Sequence, residues 1–195
     1  MRKKISAALV GLGVIGVSVL ATGSASSHGY TDSPVSRQKL CANGTVTGCG
    51  AIQWEPQSVE GPKGFPASGP ADGTICAGGN SRFAQLDDPR GGQWPATRVN
   101  AGSHAFRWQF TAAHATTDFR YYITRNGWDT SRPLTRAALE TTPFLTVPYN
   151  GQRPPSTLSH TGTIPSGKTG RHIILAVWTI ADTGNAFYAC SDVQF

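Results

Sequence analysis

Beyond its first four residues the sequence has no cluster of lysine and arginine; its basic residues are otherwise scattered singly among glycine and proline. A surface that tracks phosphates needs such a cluster, so the chain argues against nucleic acid as a partner. No two cysteines have the C-x-x-C spacing, which argues against a redox pair or a zinc cluster. There is no internal repeat, no heptad pattern and no Ser/Thr/Pro linker leading to a second module, so a single domain is expected.

What is present begins with Met1-Arg2-Lys3-Lys4 followed by an apolar run from Ile5 to Leu20. A basic start, a short hydrophobic stretch and then small residues describe a secretory signal peptide. The run is interrupted by Gly11, Gly13 and Gly16, which makes a permanent anchor the weaker reading, so no membrane attachment is expected after processing. Ala25, Ser26 and Ser27 each permit a cut, and the cut after Ser27 leaves His28 first. Removing residues 1–27 leaves 168 residues and lowers the formal charge from +6 to +3, because the leader holds three of the seventeen basic residues and none of the acids. An exported chain with four cysteines points to two disulfides. Three connectivities are possible; Cys41 and Cys49 lie close together across a loop, which leaves Cys76 with Cys190.

From Gly29 to about Ala101 the chain is rich in Gly, Pro, Ser and Asn, and reads as loops and short helical turns held by the Cys41–Cys49 bridge. The character then changes. Ala105–Thr111 alternates with Phe106, Trp108 and Phe110 on one face, Phe119–Thr124 is aromatic, His172–Ile180 is nearly all apolar, and Ala186–Phe195 alternates again. These read as strands, with Asn126-Gly127 and Asn150-Gly151 as turns between them. The expected fold is all-β, an immunoglobulin- or fibronectin-III-like β-sandwich with a long N-terminal loop and short-helix excursion.

Of the five histidines, His28 can become the N-terminus. Its amine and ring nitrogen could then chelate one ion, and a second imidazole would complete a planar three-nitrogen set of the kind that favours Cu(II). His114 follows the strand ending at Thr111 and could be presented from its end. His172 reads as a core or edge residue, His104 as an exposed turn residue and His160 as a buried hydrogen-bonding one.

Four groups of residues then occur in order: His28-Gly29-Tyr30, Trp54-Glu55-Pro56-Gln57-Ser58-Val59-Glu60-Gly61, Thr111-Ala112-Ala113-His114 and Asn185-Ala186-Phe187-Tyr188. Between the last two stand Arg120-Tyr121-Tyr122-Ile123-Thr124, Trp128-Asp129 and Pro133-Leu134-Thr135-Arg136. In this the chain resembles the bacterial lytic polysaccharide monooxygenases, and is most similar to the chitin-active branch of auxiliary-activity family ten, formerly described as chitin-binding proteins. The resemblance covers residues 28–195 and selects the cut before His28. It implies one copper ion held by the amine and ring of His28 and the ring of His114, with Phe187 and Ala112 at the two axial positions and Glu60 steering the oxygen species. It implies a flat chitin-binding face formed by Trp54, Glu55, Glu60, Asp182 and Asn185. Most relatives carry tyrosine at position 54; tryptophan keeps the stacking surface and lacks the hydroxyl. Cys41 and Cys49 fit the family, whereas Leu145 and Gly162 stand where some relatives have a bridge.

The implied activity is that of a secreted, monomeric enzyme that accepts electrons from an external donor, uses O2 or H2O2, and oxidatively cleaves crystalline chitin at C1 to help chitinases. Cellulose is the lesser substrate. The alternatives are a noncatalytic chitin-binding protein, a glycoside hydrolase using Glu55 and Glu60, and a periplasmic copper carrier. A hydrolase needs paired carboxylates about 5–9.5 Å apart and no copper.

Overall fold

The computed structural model describes residues 27–195; apart from Ser27, the expected leader lies outside the described residues. Among the described residues the strands, in chain order, are β1 (His28–Ser33), β2 (Glu60–Pro62), β3 (Thr97–Arg98), β4 (Gly102–Ala112), β5 (Thr116–Ile123), β6 (Leu145–Pro148), β7 (Thr157–Ile164), β8 (Arg171–Ile180) and β9 (Asn185–Gln194). One sheet has the order β1-β4-β7 and is antiparallel throughout. The other runs β2-β9-β8-β5-β6, with β3 added in parallel beside β9. The two sheets form the expected immunoglobulin-like β-sandwich.

The near-continuous apolar run in β8 has a direct cause: both faces of this strand are covered. Ile174, Ala176, Trp178 and Ile180 join the core between the sheets, where Phe106, Trp108, Phe110, Phe119 and Phe187 also lie. Ile173, Leu175 and Val177 face the other way, into a second core built from Leu40, Ile52, Phe65, Ile75, Phe83 and Trp94 of the N-terminal excursion. A strand that buries one face alternates; a strand that buries two does not. The excursion therefore packs as a third layer, with one α-helix, Arg37–Ala42, and short 3-10 turns.

Both disulfides take the expected pairing. Cys41–Cys49 closes a local loop, and Cys76–Cys190 ties the excursion to β9 across 114 residues. A cross-link over a loop that long stabilises by roughly 4–5 kcal/mol in the chain-entropy model. Leu145 packs so closely on Gly162 that a Cβ at position 162 would come within 2.6 Å of it.

Two expectations need correction. Residues 29–33, in the stretch read as loop, belong to β1 because β4 offers them an edge. β6 and β7, which the sequence reading did not name, carry little apolar signal and leave alternate residues exposed. His104 is not a turn residue but part of β4; its ring packs on Phe106 and its Nε2 is buried. The other two hold: His172 is buried and bonded to Thr124, and His160 Nδ1 lies 2.7 Å from the Tyr121 hydroxyl.

Burial pushes the His160 pKa down to about 4. The unfolded chain, with an ordinary histidine near 6.5, then takes up the proton first, so stability falls as pH drops from about 6.5 to 4, by up to about 3 kcal/mol. Asp87 works against this: burial raises its pKa to about 6, so the folded state binds that proton first and stability rises over much of the same window. Urea unfolding of His160→Gln should show a weaker acid loss than the parent between pH 7 and 4. An identical loss in both proteins would remove His160 from the account.

Candidate metal centre

β1 begins at His28, which pairs with Ala112, the last residue of β4. A register shift between His28 and Gly29 re-aims the first residue relative to the rest of the strand. Gly29 has to be glycine: a Cβ would stand 2.8 Å from Phe110 Cδ1 and 3.2 Å from the Gln109 carbonyl. Its N–H donates to the Gln57 carbonyl at 3.0 Å, which draws the Trp54–Glu60 loop beside the strand. Two residues beyond Ala112 the chain crosses from one sheet to the other, and His114 sits on that crossing before β5. Both histidines are thus set at the same end of the sandwich.

His114 is 5% exposed; its Nδ1 lies 2.7 Å from an Asp182 carboxylate oxygen, and its Nε2 is buried with no hydrogen-bond partner. Burying an unpaired polar atom costs roughly 1–3 kcal/mol. A ligand on the ring removes that cost, so the residues fit a metal ion here. Among the described residues no three His, Cys, Asp or Glu side chains group to hold one. A metal held here would need a donor from outside that set, and the α-amine of a chain beginning at His28 would be one.

The second part of the site comes from the other sheet. Glu60 on β2 lies across from Phe187 on β9, and Pro62 across from Asn185. Asn185 Nδ2 donates to Glu60 Oε1 at 2.7 Å, which orients the carboxylate. Gly61 permits this: a Cβ there would fall 2.0 Å from the Gly78 carbonyl oxygen, so β2 meets the excursion backbone to backbone. Phe187 is fully buried with its ring centroid 4.8 Å from that of Trp178. Lys63 closes the β8–β9 loop that carries Asp182: its N–H donates to the Gly184 carbonyl at 3.0 Å and its ammonium to the Thr183 carbonyl.

The structure thus joins His28 with Ala112, His114 with Asp182, and Glu60 with Phe187 and Asn185. Trp54 and Glu55 are tied in less directly, through the loop whose Gln57 carbonyl holds Gly29. Trp54 is 82% exposed, the one large hydrophobic so placed among the described residues. Glu55 pairs with Arg82, a residue absent from the sequence reading, since its place beside Glu55 depends on how the excursion folds.

A β-sandwich that sets the histidine opening β1 and a strand-crossing histidine at one pole defines a class of surface metal-site proteins. The family described as "Lytic polysaccharide mono-oxygenase, cellulose-degrading" matches residues 28–193. A lytic polysaccharide monooxygenase of auxiliary-activity family ten from Streptomyces lividans is 70% identical, with a TM-score of 0.85 over 86% of this chain and 100% of that one. A Bacillus amyloliquefaciens protein solved in complex with Cu(I) is 39% identical, with a TM-score of 0.79 over 86% and 99%. The "GlcNAc-binding protein A" of Shewanella oneidensis is 44% identical over all of this chain and 41% of its own length. The chain spans between two fifths and about half of the length of the curated relatives it first matches. The chain belongs to the lytic polysaccharide monooxygenases of auxiliary-activity family ten.

Proposed function

We propose that residues 1–27 are a signal peptide and that the secreted chain from His28 is a copper-dependent monooxygenase that binds crystalline chitin and cleaves it oxidatively at C1. The observation that carries this reading is His114: a buried imidazole whose Nε2 has no protein partner, at the pole where β1 begins. Membership of the family and the Cu(I)-bound neighbour support copper as the ion. When bound, copper supplies one-electron chemistry from an external donor to O2 or H2O2, so that a carbon of the glycosidic linkage is hydroxylated and the bond breaks.

The protein's residues do the rest. The amine and ring of His28 and the ring of His114 would hold the ion. Phe187, apolar and buried, and Ala112 would keep water away from it. Glu60, oriented by Asn185, offers a carboxylate that can direct the oxidant. Trp54 stacks on a sugar face, while Glu55, Asp182 and Asn185 hydrogen-bond hydroxyl and acetamido groups. Relatives named for GlcNAc binding favour chitin, with cellulose the lesser substrate despite the wording of the family description.

The test is product analysis with β-chitin and with cellulose, with and without ascorbate. Aldonic-acid chito-oligosaccharides that require ascorbate are expected; native oligosaccharides in both samples would contradict the reading, and cellulose products alone would overturn the substrate. Trp54→Ala should weaken adsorption to chitin tenfold or more, the loss set by the roughly 1.5–3 kcal/mol of burying a large apolar side chain, while copper affinity is unchanged. The measurement is an adsorption isotherm beside a copper titration.

A further inference from the structure

A single hydroxyl joins the two halves of the site. Thr116, the first residue of β5, is fully buried. Its Oγ1 accepts the Trp178 indole N–H at 2.7 Å and donates to the His114 carbonyl at 3.0 Å. The occupied lone pair leaves the hydroxyl proton directed at His114. Trp178 is itself fully buried, and its ring packs against Phe187 at 4.8 Å. The main chain of Thr116 is anchored on both sides: its N–H donates to the Gln152 carbonyl at 2.9 Å and its carbonyl accepts from Gly151 at 2.7 Å. The next carbonyl after His114, that of Ala115, accepts from Ala181 at 2.8 Å. Only serine or threonine could accept from an indole and donate to a carbonyl at this reach.

We propose that Thr116 and Trp178 are positioning residues for the metal centre: the Thr116 hydroxyl, held by Trp178, fixes the main chain that presents His114, and the same indole fixes the Phe187 ring. His114 and the apolar Phe187 are thereby set by one buried hydrogen-bonded pair. This rests on the reading of His114 as a copper ligand.

The experiment uses the chain from His28 with Cu(II), in four forms: unchanged, Thr116→Val, Thr116→Ser and Trp178→Phe. Valine keeps the shape of threonine and removes the hydroxyl; serine keeps the hydroxyl; phenylalanine keeps a ring against Phe187 and removes the N–H. Copper affinity by calorimetry, the electron paramagnetic resonance spectrum and Tm are read for each. Thr116→Val should bind Cu(II) about tenfold more weakly with an altered spectrum, at the low end of the cost of removing a group that orients a metal-binding histidine. Thr116→Ser should stay near the parent, and Trp178→Phe should move in the direction of Thr116→Val. A lower Tm for Thr116→Val with unchanged affinity and spectrum would overturn the proposal by showing a merely structural role, as would a serine variant as weak as the valine one. If Thr116→Val does not fold, an unchanged affinity and spectrum in Trp178→Phe overturns it. Failure of the unchanged chain to bind copper would instead overturn the reading of His114 on which it rests.

Discussion

His114→Ala should abolish tight Cu(II) binding and the release of oxidised products while leaving the fold in place. The imidazole ties down no core element: its Nε2 has no protein partner and its Nδ1 meets only the half-exposed Asp182 carboxylate. What the fold does use is its carbonyl, which Thr116 holds and alanine retains. The variant should therefore melt within a few degrees of the parent, because a partly refilled cavity costs about 1–2 kcal/mol. Calorimetric copper titration beside thermal unfolding checks both halves of the statement. A variant that keeps oxidative activity would exclude His114 as a ligand.

The largest loss of stability is expected at a residue far less conspicuous in the sequence. Asp192 on β9 accepts Arg37 Nε at 2.7 Å and Nη2 at 3.2 Å, with the two side chains only 3% and 4% exposed. Arg37 also donates to the Leu86 carbonyl at 2.8 Å, and its guanidinium lies 4.8 Å from the Trp94 ring centroid. One fork thus binds the α-helix, the later excursion and β9 together. Removing the carboxylate leaves a buried, uncompensated guanidinium, a loss of about 3–5 kcal/mol. For a domain of this size that lowers Tm by roughly 10 °C. Thermal unfolding of Asp192→Ala measures it; a shift of a degree or two would mean that Arg37 finds water or another partner.

The sandwich was legible where one period dominates. Phe106, Trp108 and Phe110 alternate because β4 buries one face, and the unbroken run of β8 marks a strand covered on both sides. β1 was not legible, since its residues owe their extended form to the edge of β4 and not to their own pattern. The histidines and Glu60 stood out through the order of short motifs, including two glycines whose absent Cβ atoms the structure explains. Arg37 and Asp192, 155 residues apart, gave no local signal. Nor did Lys63, Thr116 and Trp178, whose roles depend on which carbonyl each meets after the sheets have closed.

The most direct test of the metal centre compares Cu(II) titrations of two chains that both begin at His28, one with a free α-amine and one with that amine acetylated. In the first the amine and ring of His28 can act together; in the second the nitrogen has lost its basic lone pair and the chelate is broken. The account predicts one tightly bound ion for the free chain and a loss of tight binding for the acetylated one. Equal affinity in both would contradict it.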